Sequence, residues 1–146
     1  MDNSLLIWQY LRPLLENNDA LKPYFGIDVN NPENANKKIE HIFPLVALEG
    51  TPYPFIVYRR DNVTPEYSKH LPGVNGWTNN VSFSLSVYSD NYDDSANIAN
   101  IVRDILEDYR LENESIKIDS IELVSTYEAY SENGFMQTLT FSTTAV

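Results

Sequence analysis

The sequence predicts an α+β domain, with one long helix packed across a mostly antiparallel sheet of four to five strands and a second helix at the N-terminal end. Three patterns predict it: a strand followed by an amphipathic helix within residues 79–111, a hairpin within residues 116–143, and a helical pattern at residues 3–17. A strand with one apolar face and a helix with one apolar stripe most simply cover each other.

The stretch from Asn79 to Leu111 organises the prediction. Apolar and small polar residues alternate from Val81 to Tyr88, which is typical of a strand with one face on a core. Asp and Asn residues at 90–94 then supply acceptors and negative charge for a helix start. The helix is predicted from apolar residues at helical spacing, namely Ile98, Ile101, Val102, Ile105, Leu106 and Tyr109.

The rest of the chain fits a single domain over residues 1–146. Its predicted parts are an N-terminal helix at 3–17, an irregular segment at 18–40, and a sheet-and-helix core at 41–144. Within the core we expect short strands at 41–47 and 54–60. Residues 61–80 then form a long connection, which is either a loop with a function or a protruding hairpin tip.

The C-terminal part predicts the closing hairpin. Residues 116–128 form a strand whose apolar phase slips at Asp119-Ser120, which indicates a bulge. Asn133-Gly134 suits a hairpin turn with positive φ, and residues 135–143 return as the partner strand.

Composition excludes several classes of function. The net charge of −11 argues against an ordinary nucleic-acid-binding domain, since such a charge repels phosphate. The absence of Cys rules out a disulfide frame, a thiolate nucleophile and a Cys-based metal site. No apolar run approaches the roughly 20 residues of a membrane helix, so we expect a soluble protein without a membrane partner.

The residues with potential for catalysis do not form a known pattern. His41 and His70 lack a second ligand at metal-binding spacing. Asp90, Asp93 and Asp94 are explained by their position at a helix start. We therefore expect no enzyme activity, no cofactor and no metal site.

The polar face of the central strand is formed by small residues, Ser82, Ser84 and Ser86. Such a face is flat and neither strongly apolar nor charged. It is either open to solvent in a one-layer sheet or covered by a neighbouring subunit.

The order and spacing of these segments carry a resemblance to a known family. The segments are Ile42–Pro44, Pro52–Tyr58, Val81–Tyr92, the helix at 98–109 and Gln137–Phe141. Over residues 40–144 the chain resembles the tail-completion family of long-tailed bacteriophages, also called tail terminator or tail-to-head joining proteins. The Asn-rich segment near residues 30–36 and the long 61–80 connection depart from that pattern.

The resemblance implies a structural virion protein at the tail–head junction, made in the cytoplasm of the bacterial host. Family members form a ring, typically a hexamer, that caps the tail tube and docks on the head connector. The implied partners are other copies of the chain, the tail tube protein and the head connector protein. DNA passes through the lumen without specific binding. The alternatives are another neck component, such as a head-closure ring, or a cytoplasmic protein-binding adaptor.

Two sets of residues are candidates for such a role. We expect a contact with a neighbouring subunit or partner at Tyr67, Leu71 and Trp77 of the long connection and at Ser82, Ser84 and Ser86. Acidic residues could line a channel through which DNA slides without sticking. The candidates for that lining are Glu112, Glu114, Glu122, Glu128 and Glu132.

Overall fold

The computed structural model describes residues 3–67, 77–132 and 134–146. The two α-helices are α1 (Ile7–Glu16) and α2 (Tyr92–Leu106). The strands are β1 (Ile42–Pro44), β2 (Phe55–Tyr67), β3 (Trp77–Ser89), β4 (Leu111–Glu112), β5 (Lys117–Ile118), β6 (Glu122–Ser131) and β7 (Gly134–Ala145). Short 3-10 turns at Ser4–Leu6, Lys22–Phe25 and Pro32–Asn34 account for the rest of the regular structure in the described ranges.

The strands form one curled, mixed sheet. The strand order is β1-β2-β3-β7. On its other side β7 pairs with β6 along most of its length and with the short β5 at Ala145, and β5 pairs with β4. All pairs are antiparallel except β1 with β2, which is parallel. The α+β class is confirmed, but the expected four to five strands are seven.

Part of the difference in strand number arises at residues 116–128, for which the sequence predicted a single strand. The chain forms β5 at Lys117–Ile118, leaves the sheet, and re-enters as β6 at Glu122. The bulge therefore does not lie at Asp119-Ser120, and the register shift falls between Leu123 and Ser125. Two-residue strands such as β4 and β5 show no alternation that a sequence pattern could detect.

The long connection predicted at 61–80 is mostly hairpin. β2 continues to Tyr67 and β3 begins at Trp77, and these two residues are paired. Thr64, Pro65 and Glu66 are exposed, so this end of the hairpin stands out from the core. The prediction of a protruding hairpin was thus the better of the two alternatives.

One face of the sheet carries the core. Val81, Phe83, Leu85 and Val87 of β3 are at most 1% exposed and alternate with the serines, as the period-two pattern predicts. Phe83 stacks on Phe141 of β7 with ring centroids 5.5 Å apart.

Both helices cover this face. Trp8 of α1 lies edge-on to Phe83, with centroids 5.3 Å apart, and 4.5 Å from the ring of Tyr58 on β2. Ile98, Val102 and Leu106 of α2 are fully buried. The result is a two-layer domain with helices on one side only.

Helix α2 begins as its sequence predicts. The Asn91 side chain accepts a hydrogen bond from the Asp94 N–H at 3.2 Å, and Asp93 and Asp94 occupy the first turn. The helix ends at Leu106, so Tyr109 packs on the core from outside the helix.

An ion pair stands at the C-terminal end of α2. Arg103 donates to Glu107 at 2.7 Å, and this hydrogen bond lowers the pKa of the Glu107 carboxyl. The pair therefore stabilises the folded state at pH values above the ordinary carboxyl pKa, and this stabilisation is lost as the pH falls through the lowered pKa of Glu107. Because both groups are at the surface, the contribution is small.

Candidate functional site

The face of the sheet opposite the helices is where the predicted serine surface lies. Register places Val57, Ser86, Thr138 and Tyr127 in one row across β2, β3, β7 and β6. The Ser86 and Thr138 hydroxyls are 2.8 Å apart and share a hydrogen bond. We call this side the helix-free face.

The serines are less accessible than a solvent-exposed face requires. Ser84 is fully buried, Ser86 is 8% exposed, and Ser82 is half-buried. The buried Ser84 hydroxyl has no hydrogen-bond partner in the described part of the chain. The alternative that this face is open to solvent is therefore wrong for Ser84 and Ser86. Ser82 is the most accessible of the three serines.

The three other predicted contact residues lie at the end of the β2–β3 hairpin. Tyr67 and Trp77 are the last paired residues of the two strands. Leu71 lies outside the described residues, as do the side chains of Tyr67 and Trp77. Their expected role as a contact stays a prediction.

The five glutamates do not form a single cluster. Glu112 belongs to β4, Glu114 follows it, and the other three lie on β6 or in the turn after it. Glu122 pairs with Ser142 on the helix-free face, whereas Glu128 pairs with Gln137 on the helix side.

Glu128 is already engaged within the subunit. Its carboxylate accepts hydrogen bonds from the Tyr92 hydroxyl at 2.9 Å and from Gln137 Nε2 at 3.1 Å. The bond to Glu128 raises the pKa of the Tyr92 phenol above its ordinary value, since it favours the protonated phenol. Glu128 is thus the least suited of the five to line an open channel.

The residues considered for catalysis do not converge. His41 stacks on Phe43 with centroids 6.4 Å apart, and His70 lies outside the described residues. Asp90, Asp93 and Asp94 stay together at the start of α2. Among the described residues no group of three or more His, Asp or Glu side chains is placed to hold a metal ion.

A surface that sequence reasoning missed lies on the loop between β1 and β2. Leu45, Val46 and Leu48 are 75%, 73% and 71% exposed, although 41–47 was predicted as strand. The strand ends at Pro44, where the Val46 N–H donates to the Pro44 carbonyl at 2.7 Å. Leu45 at the centre of this tight turn has φ of +65°, which is strained for a branched side chain.

This loop forms one wall of a cleft of about 410 Å³ on the helix-free face. The opposite wall is aromatic: Tyr53 stacks on Phe55, and Phe55 stacks on Tyr88 with centroids 4.9 Å apart. Val57 lies on the floor. We call this feature the apolar cleft.

Further exposed apolar side chains lie at the other edge of the sheet. Val124, Tyr127 and Tyr130 of β6 are 61%, 61% and 73% exposed. Tyr127 lies on the helix-free face, whereas Tyr130 lies on the helix side, with its ring centroid 4.8 Å from that of Phe135. Within the described ranges β6 pairs only with β7, so its outer edge is open. The sequence did contain a signal for these exposed side chains, the run Val124-Ser-Thr-Tyr127. Large residues occur there in a predicted strand, and no other predicted element is expected to pack on them.

Exposed apolar surfaces at two edges of a small domain are typical of a class of proteins that contact other protein chains. The family Tail completion protein gp17 matches residues 40–145, which is most of the chain. The protein therefore belongs to the Tail completion protein gp17 family and is a structural component of the phage virion. The predicted family resemblance is confirmed.

A solved structure has the same fold. A chain of the virion of a native gene transfer agent particle superposes with a TM-score of 0.64 at 14% identity, covering 99% of this chain and 92% of that one. No curated protein matches the sequence. Within the described residues, no helix has both the length and the apolar character needed to cross a membrane.

The strained turn at Leu45 leads to a stability prediction. Leu45→Gly should leave the free energy of unfolding unchanged or raise it by up to about 1 kcal/mol. The reason is that relief of about 1–3 kcal/mol of strain outweighs the added freedom of the unfolded chain. Urea unfolding measures the difference.

Val46→Gly is the matched control for this prediction. Val46 is equally exposed and lacks positive φ, so its replacement should cost about 0.5–1 kcal/mol. Equal losses in the two variants would show that the Leu45 turn is not strained.

Proposed function

We propose that this protein closes the phage tail: copies assemble as a ring, typically of six, on the end of the tail tube and join it to the head connector. Its role is structural and not catalytic. The observation that carries the proposal is the family match over residues 40–145, and the two exposed apolar edges of the sheet support it. Such edges suit a unit that contacts a neighbour on each side.

The acidic composition supports the passage of DNA through such a ring. A chain with 21 acidic and 10 basic residues offers few cations to hold phosphates, so DNA would slide past rather than bind. We propose that some of Glu112, Glu114, Glu122, Glu128 and Glu132 face the lumen, beginning with Glu112 and Glu114, which lie apart from β6.

We also propose that the end of the β2–β3 hairpin, with Tyr67, Leu71 and Trp77, reaches a neighbouring subunit or partner. The exposure of residues 64–66 supports a hairpin that extends away from its own core. Ser82, the most accessible of the three serines, would flank such a contact on the helix-free face, with Ser86 behind it. Ser84 would support the face without touching the neighbour.

Assembly is the direct test of the proposed function. Tails lacking this protein are mixed with the purified chain and imaged in negative stain, alongside sedimentation of the chain alone at high concentration. We expect closed rings at the ends of the tubes, whether or not rings form in solution. Binding to head connectors but not to tails would favour a head-closure protein instead, and a chain that stays monomeric with both would refute the proposal.

The lumen assignment is tested by charge reversal. Glu112→Lys with Glu114→Lys should slow DNA ejection in assembled particles or trap DNA, because each new cation binds phosphate. Glu33→Lys with Glu40→Lys, two exposed residues outside the described ion pairs, controls for the change in net charge. Ejection kinetics that match those of this control would place the two glutamates away from the DNA.

The hairpin contact is tested by shortening it. Replacing residues 67–77 with Asn-Gly removes all three contact residues and closes β2 onto β3 at the Glu66–Thr78 pair with a two-residue turn. We expect a folded monomer with unchanged thermal unfolding that no longer assembles on tails. Lys69→Ala, a polar change in the same segment, should assemble normally, and full assembly of the shortened variant would exclude the hairpin from the interface.

A further inference from the structure

We propose that the contact between copies is made by Tyr127 of one subunit, which seats in the apolar cleft of the next. The inference rests on the proposed ring and specifies which two surfaces meet. The side chain that fills the cleft therefore comes from a second copy of this chain.

The distribution of exposed apolar side chains is the first argument. Eleven large apolar side chains are exposed in the described ranges, and seven of them lie on the wall of the cleft or on β6. Those seven are Leu45, Val46, Leu48, Tyr53, Val124, Tyr127 and Tyr130. Concentration of exposed apolar area at two places marks interaction surfaces.

The second argument is geometric. Tyr127 and Val57, on the floor of the cleft, occupy the same row of the helix-free face but are three strands apart. At about 4.8 Å per strand spacing they are roughly 14 Å apart, so Tyr127 cannot fill the cleft of its own subunit. A second copy can supply the same tyrosine from outside.

The size and lining of the cleft suit an aromatic side chain. Its volume of about 410 Å³ is within the range of pockets that enclose small ligands. Tyr53, Phe55 and Tyr88 present ring faces and edges against which another ring can pack. Tyrosine is among the residues that most often dominate interfaces of this kind.

Charge at the two edges is complementary. Residues 122–132 carry three Glu and neither Lys nor Arg. Residues 37–61, which contain β1 and the cleft loop, carry four of the ten Lys and Arg of the chain against Glu40, Glu49 and Asp61, and Asp61 pairs with Arg59 at 2.6 Å. Within the described residues Lys37 and Lys38 take part in no ion pair. In a chain of net charge −11, the cleft side is the less acidic of the two edges, and Lys37 and Lys38 beside β1 favour the approach of the acidic β6 edge.

The consequence is a head-to-tail contact. The cleft and Tyr127 are different surfaces, so each copy that accepts a tyrosine still offers its own to the next. Repetition of this contact closes a ring when the rotation from one copy to the next is a whole-number fraction of 360°.

Cross-linking tests the contact directly, because the chain has no native cysteine. A Leu48→Cys, Ser125→Cys double variant, which keeps Tyr127 and places one thiol two residues from it on the same face of β6, is treated with a short bis-maleimide, both in solution at high concentration and on tails. We expect a ladder of covalent multimers that ends at the copy number of the ring. Each single variant should yield no species above a dimer, and Leu48→Cys with Leu5→Cys should yield no ladder, since Leu5 is equally exposed but lies on neither surface.

Affinity provides the second measurement. Tyr127→Ser should weaken association at least about tenfold, as expected for a central aromatic side chain, while Tyr127→Phe should stay within about threefold. Leu5→Ser should leave association unchanged, and thermal unfolding of all three should match the parent.

The outcomes separate this inference from the proposed function. Rings that are visible on tails but give no ladder from the double variant, or that tolerate Tyr127→Ser, would refute the tyrosine-in-cleft contact and leave the ring intact. Absence of any multimer in solution and on tails would refute both.

Discussion

The structure depends on the burial of one face of β3. Val81, Phe83, Leu85 and Val87 are covered by α1 and α2, and Trp8 links the helical layer to Phe83 and to Tyr58 on the neighbouring strand. Each large apolar side chain buried in this way contributes about 1.5–3 kcal/mol, so the strand and the helices hold each other in place. Because both helices are on this side, the opposite face has no helical cover of its own.

That asymmetry explains the composition of the helix-free face. Along its centre the side chains are small and polar, and Ser84 and Ser86 are buried although no helix covers them. At the end near β1 the same face is aromatic, and the loop carrying Leu45 partly roofs it. A domain this small cannot bury both ends of its sheet, so the remaining apolar surface is available to other chains.

Assembly of such a unit has to overcome its own charge. Copies with a net charge of −11 repel one another at long range. Short-range apolar contact and locally complementary edges can outweigh this repulsion when copies are concentrated on a template. In the ring that we propose, the tail tube would provide such a template.

The sequence by itself determined the local elements. Alternation in Val81–Tyr88, the Asn91 cap with its acidic neighbours, and the Asn133-Gly134 turn each specify a conformation within a few residues, and β3, α2 and the β6–β7 hairpin follow from them. Only the tertiary structure decided the parallel pairing of β1 with β2, the separation of β5 from β6, and the positive φ of Leu45. It also decided that Tyr127 and the apolar cleft lie on one face at opposite edges. The physical reason is that these features arise from contacts between residues distant in the chain, for which no local pattern exists.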